Sequence, residues 1–494
     1  MADPSASLGK LYNNSPPPGT CFMNHLALSL VVAVVAFAPG AVFGADPAFL
    51  PDVAPVLVGR CASCHGGVKA RGDYKLHTFG DLLKPGASDA KPIVSGKPLE
   101  SELYRRLVAT DPKERMPPGD DPLSAAEIAT VKAWITAGGT FDGKDSSAAL
   151  KSILPPRKHP APPEKYPATA PVFALAFSPD GKELAAGGVN EVTIWDSATG
   201  KLRRRLPKLP ARIHAIAYSA DGKSLLVGGG TTGEYGEVCL ADAQTGERVR
   251  VFGTFDDVIL AASFAADGKT LAAGSADRTT RAYSAADGVE LWRSALHADW
   301  ITGVAFSPDG KWVATSSKDR TVKVLEAATG KLFTTYNGHR RQYAPHAGQF
   351  EVYGVAFDST GTAFSVGGGA AVRAWDPVKT REENGSAADM EERFKNAGHS
   401  RYLDFPAGKP AFALTLGAGQ VFTAGGDRAV RQHATGTGKL VREFTGHADW
   451  VYALATHPGT ERLASGAFDG EVRIWNTKTG DSVTTFTAAP GYTK

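Results

Sequence analysis

The sequence predicts a multidomain chain: a small all-α domain followed by an all-β propeller of seven blades. Three observations carry this expectation. A strand-turn pattern recurs seven times across residues 172–490, a proline-dense stretch lies at 141–171, and residues 46–140 hold short helical patterns around one cysteine-containing pentapeptide. A length of 494 residues leaves room for several such domains. Residues 1–45 form a separate N-terminal segment.

In the block 46–140, Val53 to Arg60 reads as a short helix and Leu99 to Val108 as a second. A third is better marked. Ser124 as N-cap with Glu127 three residues on makes a capping box, and Leu123 with Ile128 makes a hydrophobic staple. Ile128, Val131, Trp134 and Ile135 share one helical face, and Gly138-Gly139 ends the helix. Beyond the block, Pro155, Pro156, Pro160, Pro162, Pro163, Pro167 and Pro171 crowd the second half of the linker. Such density removes amide donors and favours an extended, semi-rigid spacer.

The repeat is plain in Ala174-Leu175-Ala176-Phe177-Ser178-Pro179-Asp180-Gly181 and again in Ala215-Ile216-Ala217-Tyr218-Ser219-Ala220-Asp221-Gly222. Further copies begin at Ser263, Gly303, Gly354, Ala411 and Tyr452. The spacing is that of propeller blades, each an alternating strand, an Asp-Gly turn, two further strands and a polar hairpin. Four short strands cannot bury both faces alone, whereas radial stacking buries them. The repeat resembles the WD40 family. Trp195-Asp196, Trp375-Asp376 and Trp475-Asn476 resemble its dipeptide, and Gly338-His339, Gly398-His399 and Gly446-His447 its Gly-His element. The resemblance implies a buried polar network through His447, Ser465, Asp469 and Trp475 in the last blade. Leu240, Tyr283 and His433 stand where blades two, three and six lack the tryptophan. Cys239 falls in such a strand and reads as a buried, inert thiol.

The motif that carries chemistry is Cys61-Ala62-Ser63-Cys64-His65, the spacing of c-type haem attachment. Two thiols one helical turn apart add to the two haem vinyl groups, and the following imidazole is the proximal iron ligand. A redox dithiol or half a zinc site would leave the histidine position unexplained, and the block offers a zinc ion no further cysteine. Met116, in Arg115-Met116-Pro117-Pro118, is the block's one methionine. A thioether on so stiff a strap can reach the open haem face. The alternatives are ligation by His77 and a five-coordinate iron. The block closely resembles the planctomycete-type cytochrome c domain through Cys61 to Gly66, Ser95-Gly96-Lys97-Pro98, Ser101-Glu102-Leu103, Met116-Pro117-Pro118 and Leu123-Ser124 through Trp134-Ile135. That resemblance implies one covalently attached haem c with His65 and Met116 as its axial ligands. A thioether ligand raises the potential and occupies the position a small substrate would use, which describes an electron carrier.

A net charge of +3 gives no reason to propose a nucleic-acid or membrane partner. The basic run Lys201-Leu202-Arg203-Arg204-Arg205 falls on an outermost strand, where charge guards an open edge. Leu26 to Val42 is apolar and precedes small residues, the pattern of an export signal, with Met23 as a candidate start. Left uncleaved, the run would be a membrane anchor instead. Two insertions, Gly338 to Glu351 and Pro377 to Pro410, are expected between successive blades on one face, the second with a helix in Glu382 to Lys395. No catalytic constellation stands out. The reading is an exported or periplasmic single-electron carrier with a redox partner protein and a further protein on the propeller face. The alternative is a periplasmic oxidoreductase with an active site or second cofactor in the propeller.

Overall fold

This computed structural model describes residues 46–66, 70–118, 122–155, 157–340, 350–368, 371–388, 399–404 and 409–492. The expected signal segment, 1–45, lies outside the described residues, as do 341–349 of the first insertion. A small helical region is followed by a largely β region of repeated four-strand units.

The helical region contains α1 (Ala54–Arg60), α2 (Ala62–His65), α3 (Phe79–Leu82), α4 (Glu102–Val108), α5 (Ala125–Thr136) and α6 (Leu150–Ile153). Ser124 accepts from the Glu127 amide while the Glu127 side chain accepts from the Ser124 amide, so the capping box forms. Two of the orphan amides at the start of α5 are thereby satisfied. At its other end Gly139, at φ 68°, donates to the Trp134 carbonyl at 2.9 Å. Val131, Trp134 and Ile135 face inward onto Phe49, Leu57, Phe79 and Leu107. Two elements were not legible. Thr78 caps α3 by accepting from Asp81, and Leu150 of α6 is fully buried in the same core. With the partly buried Phe141, Ile153 and Leu154 packed on it, the helical core extends past the expected boundary at 140.

Among the described residues the β region forms one seven-stranded sheet and five four-stranded sheets. The long sheet is two units sharing one strand. Leu202–Tyr218 pairs first with Val189–Asp196 and then with Ser224–Thr231, closing one unit and opening the next without a loop. The opening strands of successive units lie side by side, from Leu175–Phe177 through Leu202–Tyr218, Ile259–Phe264, Ile301–Phe306, Val352–Phe357 and Ala411–Gly417 to Val451–His457, which returns to Leu175–Phe177. Apolar residues meet between neighbours. Val324 and Tyr336 pack with Val352 and Trp375, and Leu184 and Trp195 of the first unit pack with Ala464 and Ile474 of the last. Each valine, leucine or isoleucine among them contributes about 1.5–3 kcal/mol on leaving water.

Register corrects two expectations. Trp195 pairs with Leu184, and the equivalent pair in the second unit is Ala241 with Leu225, so Ala241 and not Leu240 holds the tryptophan position. The register shift toward the outer strand agrees, since it falls just before Ala241 as it falls just before Trp195. The second insertion does not join two units. Its helix α7 (Pro377–Ser386) lies between Ala371–Trp375 and His399–Asp404, which pair within one sheet. His399 therefore opens an outer strand, whereas His339 and His447 follow one. Asn384 of α7 donates to the Thr335 carbonyl at 2.7 Å, which fastens the helix to the neighbouring unit. Of the run expected to be helical, residues 389–398 lie outside the described residues.

The buried network in the last unit runs through Ser465. His447 Nε2 lies 2.7 Å and Trp475 Nε1 2.9 Å from its hydroxyl. His447 Nδ1 faces Glu471 at 3.1 Å, while Asp469 accepts from the Glu471 amide. His339, Ser365 and Trp375 repeat the arrangement, and His297 bridges Thr315 and Asp319 in a unit whose tryptophan position is Leu325. Burial, with Arg473 adding, pushes the His447 imidazole down from its ordinary 6.5 to about 4. A depressed folded-state value means that the unfolded chain binds the proton more readily. The contribution is full above pH 6.5 and is lost as pH falls toward 4. Urea titrations across that window are expected to show His447→Gln with a shallower loss of stability than the parent; identical slopes would contradict the burial account.

Candidate functional site

The residues expected to carry chemistry converge on one cavity of the helical region. It has a volume of about 320 Å³, and Cys61, Cys64, His65 and Met116 all line it. Its other walls are largely apolar, including Leu76, Leu103, Leu107, Pro92 and Pro117. A concave apolar space of that size with few polar groups is the usual form of a cofactor site.

Local chain geometry sets the donors. α1 ends at Arg60, and the Cys64 and His65 amides both donate to the Cys61 carbonyl, at 3.1 and 3.0 Å. One helical turn thus holds both thiols and the imidazole. Gly66 follows in an extended conformation, where an added Cβ would meet the Ala62 carbonyl oxygen at 2.7 Å, so the exit requires glycine. His65 Nδ1 lies 3.1 Å from the Tyr74 carbonyl. That bond makes Nδ1 the protonated nitrogen and leaves Nε2 as the donor for a metal. The Tyr74 ring stands edge-on to the imidazole at 5.6 Å, and its hydroxyl donates to the Leu82 carbonyl. Met116 comes from the opposite element: its amide donates to the Arg106 carbonyl of α4 at 2.9 Å.

No disulfide joins Cys61 and Cys64. Burial pushes the Cys61 thiol up to about 12, against the lowering effect of Arg60. A redox dithiol relies instead on a lowered thiol pKa. Among the described residues no group of three or more His, Cys, Asp or Glu side chains forms a metal cage. His77 is exposed and does not line the cavity; its carbonyl accepts from the Leu150 amide.

Sequence reasoning missed the cationic part of the lining. Arg60, Arg71 and Arg106 line the cavity with one acid, Glu102, which already accepts from Arg105 and Arg106. These arginines carry no recognisable motif, because their relation to the pentapeptide exists only in three dimensions. Elsewhere the basic run is neutralised. Arg204 forms a two-pronged bond to Glu183, Arg203 reaches Asp196, and Arg205 is bidentate to buried Glu191. Cys239 is fully buried, and burial pushes its thiol far up.

Residues 61–120 match the family described as Planctomycete cytochrome C. Residues 164–196, 246–284, 292–325 and 438–476 match the WD domain, G-beta repeat. The chain therefore resembles a planctomycete-type cytochrome c domain fused to WD40 repeats. THO complex subunit 6 of Arabidopsis thaliana is 33% identical over 73 residues, 15% of this chain and 20% of that protein. Pre-mRNA-splicing factor prp46 of Emericella nidulans is 50% identical over 42 residues, 8% of this chain and 9% of that protein. Human striatin is 35% identical over 66 residues, 13% of this chain and 8% of that protein. The chain spans a fifth or less of the length of these three relatives. WD40 repeats serve widely as protein-binding scaffolds, and that is the role they support here.

Proposed function

We propose that this chain is an exported mono-haem c-type cytochrome that carries single electrons, with its repeats closed into a seven-bladed ring that docks a protein partner. The observation that carries the reading is the convergence of Cys61, Cys64, His65 and Met116 on one apolar cavity. When bound, the haem supplies a one-electron iron couple.

The chain's own residues do the rest. Cys61 and Cys64 offer two thiols, one turn apart, for thioether bonds. His65, oriented by the Tyr74 carbonyl, would hold the iron through Nε2. Met116, on a strap stiffened by Pro117 and Pro118, would help hold the group through its thioether. Arg71 and Arg106 line the same cavity and suit the two propionates. Leu76, Leu103 and Leu107 line the cavity and would keep water from the group. With His65 and Met116 both given to holding the group, the site would exchange electrons rather than bind a substrate. Export rests on the apolar run Leu26 to Val42, and no helix among the described residues is long and apolar enough to cross a membrane.

Met116→Ala tests the axial assignment. The ferric parent is expected to show a near-infrared sulfur-to-iron band that the variant lacks, with a lower reduction potential in the variant. A band that persists in Met116→Ala removes this residue from the role.

A further inference from the structure

We propose that residues 157–172 are a latch that closes the ring and straps the helical region to it; this rests on the ring reading above. The need for a latch lies in the strand order. The last sheet, Val451–His457 to Ser482–Thr487, is built from consecutive strands, and the first sheet opens with the three-residue strand Leu175–Phe177. Among the described residues no strand from one end of the chain enters the sheet of the other. Beyond the packing of Leu184 and Trp195 on Ala464 and Ile474, the seam has room for a further tie.

The proline-rich stretch supplies it and crosses three units in turn. On the second unit, His159 Nε2 lies 3.0 Å from Glu237 Oε1, with both side chains 1% exposed. Arg248 donates to the same carboxylate at 2.8 Å and to the Arg157 carbonyl at 2.7 Å, and the Arg157 guanidinium stacks 3.9 Å over Tyr235. On the first unit, the Tyr166 hydroxyl donates to Glu191 at 2.6 Å and accepts from the Val189 amide. Arg205 binds Glu191 from the other side and reaches the Pro163 and Glu164 carbonyls. On the last unit, the Tyr166 amide donates to the Pro490 carbonyl and the Val172 amide to the Ala467 carbonyl, both at 3.1 Å. Val172 is buried with Ala464, Val472 and Ala488, and a Cβ on Gly466 would lie 2.5 Å from it.

Glu191 and Glu237 are buried carboxylates whose partners include the latch itself. Lifting the latch strips these carboxylates of Tyr166 and His159, which is unfavourable. Proline suits such a segment, because the side chains and carbonyls make most of the bonds and the missing amides cost nothing. The tether is also short. Leu154 packs on the helical core and Arg157 is already anchored, so two residues, a span of about 11 Å at most, join the helical region to the second unit.

Hydrogen exchange and limited trypsin digestion of the full holo chain test the latch. In the parent, the Val172 and Ala488 amides are expected to be protected, and trypsin to cut after Lys158 and Lys165 far more slowly than in a free peptide of residues 155–173. Tyr166→Phe, which keeps the ring of the side chain and removes the hydroxyl, should speed exchange at Val172 and Ala488 about tenfold. Amides of Ile301–Phe306, far along the chain from the seam, should not change. His159→Ala should speed cutting after Lys158. Unchanged seam exchange in Tyr166→Phe overturns the latch while leaving the ring standing. Unprotected seam amides in the parent overturn the ring reading and the latch with it.

Discussion

With Cys61 and Cys64 both replaced by Ser, the protein is expected to lose its haem to acid-acetone, whereas the parent retains it. The two thiols lie on one helical turn and line the cavity that also receives His65. Serine keeps the size and removes the sulfur that forms the thioether. The double variant can still bind haem non-covalently through His65 and Met116, so native absorbance alone would understate the effect. Denaturing extraction separates the two states, because only carbon–sulfur bonds survive it. Pigment remaining on the denatured double variant would show that these cysteines do not hold the group.

Trp134→Ala is expected to be the most damaging single core change in the helical region. The indole is 1% exposed, its ring lies 5.2 Å from Phe49 and 6.4 Å from Phe79, and its Nε1 donates to the Thr140 carbonyl at 2.9 Å. Truncating a buried aromatic of this kind costs about 3–5 kcal/mol, through lost transfer energy and the cavity left behind. Against a total stability of about 5–15 kcal/mol for a domain, much of the margin disappears. Chemical denaturation of the variant should show the helical transition moved to lower denaturant with the β transition in place. A loss below about 1 kcal/mol would mean that this core does not rest on Trp134.

The parts legible in the sequence were those set by local chemistry. The capping box at Ser124, the glycine stop after α5, the Asp-Gly turns and the cysteine spacing depend on neighbours a few residues away. Features set by distant partners were hidden. The equivalence of Ala241 with Trp195 depends on which residue Leu225 faces across the sheet. The placement of α7 inside one unit depends on His399–Asp404 pairing back to Ala371–Trp375 across more than twenty intervening residues. The proline-rich stretch reads as a spacer because prolines lack amide donors, yet its anchors are His159, Tyr166 and backbone carbonyls on partners 25 to 91 residues away. The site itself was half visible. Its sulfur and imidazole donors stand in motifs, while Tyr74, which orients His65, and the cavity arginines do not.

The central claim is that two neighbouring sulfurs and one imidazole hold an iron-porphyrin in this cavity. Its most direct measurement is the haem content of protein purified from its own host, denatured and extracted with acid-acetone. The account predicts one iron-porphyrin per polypeptide remaining with the chain. A colourless polypeptide, with all its pigment in the extract or none from the start, would contradict it.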